Sequence, residues 1–181
     1  MKIKLDPQLA YLVGLWKARR SHIGLGITGR NEILEVFVKK AIERLEIPPS
    51  NFKFENGSVS FFHSAYRKYF QETEKKELEL FRKRNELSSS FLAGYFDGKG
   101  GVDEGAIYFA RASETDKMLI ERLGFKTVFR RGRLYIIRPS EFILFILPFI
   151  SHPELKQRLG ALVQSGNERD PRLQLQSDPL G

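Results

Sequence analysis

The sequence contains one short segment twice, at a separation of 80 residues. Residues 12–20 read Leu-Val-Gly-Leu-Trp-Lys-Ala-Arg-Arg, and residues 92–100 read Leu-Ala-Gly-Tyr-Phe-Asp-Gly-Lys-Gly. Leucine and glycine coincide, small residues coincide, and the aromatic and aliphatic positions correspond. Self-similarity at a fixed separation indicates one supersecondary unit built twice. We therefore expect two related halves arranged about a pseudo-twofold axis.

The elements that follow each copy come in the same order. Each half reads as a helix, a strand, a helix, a hairpin and a helix, which predicts an α+β fold with helices on one face of each sheet. The halves cover residues 1–87 and 88–164, and residues 165–181 form a polar tail. The predicted elements are a helix over 32–46 capped by Asn31, a helix over 64–86, a hairpin over 51–62 turning at Asn56-Gly57, a strand over 106–111, a helix capped by Ser113, a hairpin over 126–138 turning at Arg131-Gly132, and a final helix capped by Ser140.

The two leading helices have clear predicted starts and unusual glycines. Asp6-Pro7 supplies a cap and a first-turn proline, and the serines at 88–90 supply the second cap. A glycine inside a helix costs about 1 kcal/mol relative to alanine. Because Gly14 and Gly94 occupy equivalent places, we expect direct backbone contact between these two helices.

The charge and the rare residues restrict the function. The 181 residues contain 30 Lys and Arg against 22 Asp and Glu, and the net charge of +8 favours a polyanionic partner, nucleic acid before an acidic membrane surface. With no cysteine there is no disulfide or cysteine nucleophile, and His22, His63 and His152 lack the spacing of a metal pair. We expect no metal and no cofactor. No apolar run approaches the ~20 residues of a membrane span, and no signal peptide is evident, which predicts a cytoplasmic or nucleoid-associated protein that is not secreted.

Residues 91–102, Phe-Leu-Ala-Gly-Tyr-Phe-Asp-Gly-Lys-Gly-Gly-Val, resemble the signature helix of the LAGLIDADG homing endonucleases. Residues 12–21 are a more degenerate copy, and the matching element order extends the resemblance over about residues 5–163. The resemblance implies a monomer whose two antiparallel sheets form a saddle on the DNA major groove, with the helices on the other face. It also implies an acidic residue near the end of each motif that reaches the scissile phosphates through divalent metal ions.

Those two acidic positions hold Arg19 and Lys99 in this sequence. Neither side chain can bind a divalent cation, so the resemblance implies a chain that has lost cleavage. Two interpretations remain open: fixed cations that retain a phosphate, since unit charges 4 Å apart interact by ~4 kcal/mol at an effective dielectric of 20, or drift at an exposed helix end. The carboxylate two residues earlier survives as Asp97 and becomes Lys17 in the first half, at a position that looks structural in the family.

Further basic residues are candidates for nucleic-acid contacts. A hairpin tip with several arginines fits phosphate or guanine recognition, and its alternative is an ordinary solvated turn. Residues 66–70 interleave aromatic and basic side chains, which fits either base stacking or, with Phe62, a core stripe at helical spacing. The predicted nucleic-acid-binding residues are Arg19, Arg20, Lys53, Lys99, Arg111, Lys126, Arg130, Arg131, Arg133 and Arg138.

We expect a non-catalytic nucleic-acid-binding protein with duplex DNA as its first ligand. Structured RNA is the alternative ligand, as for splicing-assisting relatives of this family. Two other classes stay open: a metal-dependent nuclease or nickase that uses Asp97, Asp103 or Glu104, and a protein-interaction module that has kept only the scaffold.

Overall fold

The computed structural model describes residues 2–165. Of the predicted tail, Ser165 ends the last helix, and residues 166–181 lie outside the described residues. No helix within residues 2–165 has the length and apolar character that a membrane crossing requires.

The first half forms a three-stranded antiparallel sheet with helices. Its central strand is the second strand of the hairpin, so the sheet order is β1-β3-β2. The hairpin turns at Asn56-Gly57, as predicted. The elements are α1 (Pro7–Arg19), β1 (Leu25–Thr28), α2 (Asn31–Leu45), a 3-10 turn (Pro49–Asn51), β2 (Lys53–Glu55), β3 (Ser58–Phe61), α3 (Ser64–Lys75) and α4 (Glu77–Leu80).

The second half forms a four-stranded antiparallel sheet in the order β4-β5-β7-β6. Its hairpin turns at Arg131-Gly132, as predicted, while β4 was not anticipated. Where the second half has β4, the first half has only one isolated bridge between Arg20 and Ile27. The elements are α5 (Glu86–Lys99), β4 (Gly100–Asp103), β5 (Ala106–Ala110), α6 (Glu114–Arg122), β6 (Lys126–Arg130), β7 (Arg133–Ile137), α7 (Ser140–Ile146), a 3-10 turn (Leu147–Phe149) and α8 (Pro153–Ser165).

Three predicted helix starts and one predicted helix length are wrong. The helix expected over 64–86 ends at Lys75, and α5 begins at Glu86 behind the cap residue Asn85. Ser88 lies inside that first turn: its backbone N–H donates to the Asn85 side chain (3.0 Å), and its hydroxyl accepts from the Asn85 N–H (3.1 Å). This capping box satisfies two terminal N–H groups reciprocally. Asn31 and Ser140, expected as caps, are the first residues of their helices.

Two helices form the centre of the molecule. The eight consecutive residues from Leu9 to Trp16 in α1 are buried, and so are residues 88–98 in α5. A helix that is apolar all round belongs in a core. Neither helix therefore has the one-sided apolar pattern that marks a surface helix such as α2, whose buried residues are confined to one face.

The backbones of α1 and α5 touch at equivalent places. A methyl group on Gly14 would overlap the carbonyl oxygen of Phe91, and one on Gly94 would overlap the carbonyl oxygen of Tyr11. Both approaches are closer than 3.0 Å, which real Cβ atoms essentially never show. Tyr11 and Phe91 are themselves 80 residues apart. The contact is thus self-complementary in the manner of a twofold interface, as the repeat predicted.

We predict that Gly14→Ala destabilises the protein severely, by about 3 kcal/mol or more in the free energy of unfolding, because overpacking against rigid backbone has no cheap relief. Gly160→Ala in α8 is the matched control, since nothing lies within 4 Å of its added methyl group. That control should stabilise the helix by up to ~1 kcal/mol. Urea unfolding measures both, and equal effects would contradict the backbone contact.

Candidate nucleic-acid interface

The outer face of the second sheet is basic and aromatic. Alternate strand residues share a face, and the register aligns Tyr108 with Tyr135, and Arg133 with Arg130. The opposite face carries buried apolar residues such as Phe109 and Leu134. Three predicted binding residues therefore lie together on the face directed away from this core: Lys126, Arg130 and Arg133.

Arg133 is held in place on this face by its neighbours. Its guanidinium carbon lies 4.2 Å from the centre of the Tyr108 ring. Its Nη1 lies 3.5 Å from the Asp103 carboxylate and 3.5 Å from the Tyr135 hydroxyl. A guanidinium stacked on an aromatic ring keeps its planar fork of donors oriented for a phosphate or a base edge.

The other two predicted residues of this hairpin lie at its ends. Arg131 is exposed at the turn, where it and Gly132 both have positive φ, the conformation of a two-residue hairpin turn. Arg138 is exposed at the end of β7, beside Lys126. Both lie at the rim of the sheet and outside its row of aligned side chains.

The outer face of the first sheet has different chemistry. Its register aligns Ser60 with Gly26 and Lys53, and Ser58 with Glu55. Small polar side chains dominate this face, and the exposed Lys53 is the one predicted binding residue on it. The hairpin pattern predicts an outward set of Asn51, Lys53, Glu55, Ser58 and Ser60. The last four share this face, whereas Asn51 ends the 3-10 turn before β2.

Arg19 and Lys99 lie where the two central helices end. The Nε of Arg19 donates to the carbonyl oxygen of Gly98 (2.5 Å), which ties the end of α1 to the end of α5. The ammonium group of Lys99 donates to the carbonyl oxygen of Arg111 (3.2 Å) and lies 4.6 Å from the centre of the Tyr95 ring. Both side chains are half-buried.

Positive charges accumulate at these helix ends. Burial lowers the pKa of Arg19, and the charges of Arg111 and Arg30 lower it further. Burial also lowers the pKa of Lys99, which Asp116 partly offsets while Lys17 and Arg111 add to the lowering. We call Arg19, Arg30, Lys99 and Arg111 the helix-end cluster. Arg30 was missed because it lies outside both motifs and carries no pattern of its own.

Arg20 points to a different part of the molecule. Its guanidinium carbon lies 3.9 Å from the centre of the Trp16 ring, and it pairs with Glu74 of α3. Trp16 itself is buried and packs edge-on against Phe70, which agrees with a packing role. Arg20 thus lies against a helix, away from the helix-end cluster.

The aromatic residues of the 66–70 segment belong to the core, whereas Phe62, which precedes this segment, does not. Tyr66 and Phe70 are buried and Tyr69 is half-buried. Phe62, predicted to join this stripe, is instead 60% exposed. It follows β3 directly, and strand alternation continues through it, so its side chain points outward like that of Ser60.

The equivalent positions 17 and 97 have opposite charges and different partners. The Asp97 carboxylate accepts from the Tyr11 hydroxyl (2.5 Å) and from the backbone N–H of Ser151 (2.7 Å). Burial raises the pKa of Asp97, and these hydrogen bonds act in the opposite direction. The carboxylate therefore joins α1 to the start of α8.

The Lys17 ammonium group donates instead to Glu77 (2.7 Å) and Asp116 (2.6 Å). The Tyr95 hydroxyl also donates to Asp116 (2.5 Å). Burial would raise the pKa of Asp116, but the Lys17 charge and these hydrogen bonds outweigh burial, and the net pKa is lowered. This buried network joins α1 to α4 and α6.

Comparison with known proteins identifies the fold. No protein-family model matches the sequence, and no curated protein sequence matches it either. The structure is similar to the homing endonuclease I-DmoI in complex with DNA and Ca, with a TM-score of 0.60 and 13% identity over 86% of this chain and 97% of that one. I-DmoI in complex with DNA and Mn aligns with a TM-score of 0.56 and 14% identity, over 80% of this chain and 97% of that one. This chain has the LAGLIDADG homing-endonuclease fold.

The LAGLIDADG resemblance and the predicted α+β fold with two antiparallel sheets are thereby confirmed. In this fold α1 and α5 are the two motif helices, and the metal-binding acids that the resemblance implies would stand at Arg19 and Lys99. Two cationic side chains do not fit a divalent metal ion, and residues 2–165 contain no group of three or more His, Asp or Glu that could hold one. Of the acids considered for a residual nuclease, Asp97 is buried in the core and its Oδ2 accepts from Tyr11, and Asp103 lies beside Arg133.

We predict that Lys17→Met lowers the free energy of unfolding by about 3–5 kcal/mol, because it leaves two buried carboxylates without their cation. Lys68→Met is the matched control, since its pair with Glu72 is exposed and 3.9 Å long and such surface pairs contribute at most ~1 kcal/mol. Urea unfolding near neutral pH compares the two variants. A loss for Lys17→Met no larger than the control's would contradict a network that stabilises the LAGLIDADG core.

Proposed function

We propose that this chain binds duplex DNA across the outer faces of its two sheets and does not cleave it. The observation that carries this proposal is the helix-end cluster. Arg19 and Lys99 occupy the two positions at which the resemblance implies metal-binding acids, and Arg30 and Arg111 add positive charge beside them.

A phosphate group is the anion that these cations suit best. Arg19 uses its Nε on Gly98 and keeps its remaining guanidinium donors, and Lys99 has three donors of which one meets Arg111. Charge-assisted hydrogen bonds to phosphate are roughly twice as strong as neutral ones. The cluster therefore supports retention of the backbone near the centre of the bound duplex.

The same residues argue against hydrolysis. A divalent metal ion would polarise the phosphate and generate the attacking hydroxide, but Arg19 and Lys99 offer it no ligand and repel it. The duplex would be held with no activated nucleophile beside it.

The basic outer face of the second sheet supports the same ligand. Lys126, Arg130 and Arg133 form one row on it, and such rows contribute sequence-independent contacts with phosphates. The solved structures with this fold include I-DmoI bound to DNA, which makes duplex DNA the first ligand to test. We further propose that the single chain acts as a monomer, since it contains both halves of the fold.

The test is a salt titration of binding to a synthetic duplex, with magnesium or EDTA present and product lengths checked. We expect uncut duplex in both conditions and a logarithm of affinity that falls with the logarithm of salt by about 0.9 per phosphate contact. Arg19→Gln/Lys99→Gln should weaken binding and reduce this slope by roughly 2. Lys39→Gln/Lys156→Gln, which removes two exposed charges from α2 and α8, is the control with equal net charge.

Three outcomes would contradict the proposal. Magnesium-dependent nicking would mean that an active site remains. Tighter binding to a structured RNA than to the duplex would name RNA as the ligand. Weak binding with almost no salt dependence would indicate a protein-interaction module that has kept only the scaffold.

A further inference from the structure

An exposed phenylalanine ring lies at one end of the outer face of the first sheet. Phe62 is 60% exposed, next to Gly24 in the loop between α1 and β1. A side chain at residue 24 would contact the ring, because even a Cβ there would lie 3.5 Å from its Cδ1 atom, and the backbone of Gly24 has a φ of +60°. The ring is thus left uncovered on that side.

Positive charges surround this ring. The Lys53 ammonium group lies 5.1 Å from the ring centre, on the same outer face of the sheet. From the other side, α3 contributes Arg67 and Lys68, both exposed. These two residues line a cleft of about 360 Å³ together with Phe62, Gly24 and Gln71. That volume is within the range of small-ligand pockets, about 300–1,000 Å³.

The cleft combines the three features that a nucleotide needs. The ring of Phe62 offers a flat apolar surface for a base, and aromatic stacking tolerates any base because every base has a π-face. Arg67 and Lys68 offer charge for a phosphate, and the Gln71 amide can both donate and accept at a base edge. A neutral apolar peptide would add no negative charge to this rim, where the exposed Glu72 lies 3.9 Å from Lys68 and offsets it in part.

We propose that this cleft binds an unpaired nucleotide, with its base stacked on Phe62 and its phosphate near Arg67 and Lys68. The inference rests on the proposed function, since it takes the nucleic acid to lie on the first sheet. A base inside a duplex has both faces covered by its neighbours, so only an unstacked base can use this ring. The preferred ligand is therefore a duplex that carries an unpaired nucleotide.

The test compares two duplexes of the same sequence, one fully paired and one with a single bulged 2-aminopurine, whose fluorescence changes on stacking. We expect the wild-type protein to bind the bulged duplex more tightly by on the order of tenfold, with a change in fluorescence on binding. Phe62→Leu should abolish both the preference and the fluorescence change while leaving affinity for the paired duplex unchanged. Phe62→Trp should retain them.

Phe54→Leu is the matched control. Phe54 is equally conspicuous, with 65% exposure on the adjacent strand β2, but it pairs with Val59 and so belongs to the opposite face of the sheet. Its replacement should leave the preference for the bulged duplex unchanged.

The outcomes separate the two proposals. Equal affinity for both duplexes would overturn the nucleotide cleft and leave duplex binding intact. A preference that survives in Phe62→Leu would overturn the role of this ring. Absence of binding to either duplex would overturn the proposed function itself.

Discussion

The close approach of two helix backbones at Gly14 and Gly94 is the constraint on which the rest of the structure depends. Because the helices touch without intervening side chains, their ends come together as well, and Arg19 reaches the carbonyl of Gly98 across the pseudo-twofold axis. Helix packing therefore brings the side chains at the two helix ends close together. Because those residues are Arg19 and Lys99, positive charge is concentrated there. A larger separation between the helices would divide the four cations of the helix-end cluster between two separate sites.

Features that follow from the internal repeat and from turn residues were predicted correctly. Features for which two local structures fit the same residues were missed. The duplication, both hairpin turns and the alternation on the first sheet follow from patterns that tertiary contacts do not override. Ser88 was mistaken for a cap because a capping residue and the third residue of a capping box share the same chemistry. Phe62 was placed at the end of the hairpin and also in the core stripe of the next helix, because it lies where the period of a strand gives way to that of a helix, and either period fits it. No sequence pattern marks Arg30 as a member of the helix-end cluster, because only the fold brings it there.

The two sheets present unlike surfaces on one symmetric scaffold. The second offers Lys126, Arg130 and Arg133 in a row beside two tyrosines, whereas the first offers serine, glycine, one lysine and one glutamate. Charge on the second sheet suits a backbone of phosphates irrespective of sequence. In the proposed complex the small residues of the first sheet allow the ligand to come close, and Phe62 lies with Lys53 at one end of the outer face. In the proposed complex, affinity and selectivity are thus divided between the two halves.

The equivalent positions 17 and 97 carry opposite charges, Lys17 and Asp97, so the two halves cannot replace each other. Two copies of the first half would bury two lysines without Asp116, which belongs to the second half. Two copies of the second half would bury two aspartates beside Phe91, which stands at the position of Tyr11 and has no hydroxyl to donate. Each of these buried charges therefore depends on at least one partner in the other half. The two halves of this chain are complementary to each other and are not interchangeable.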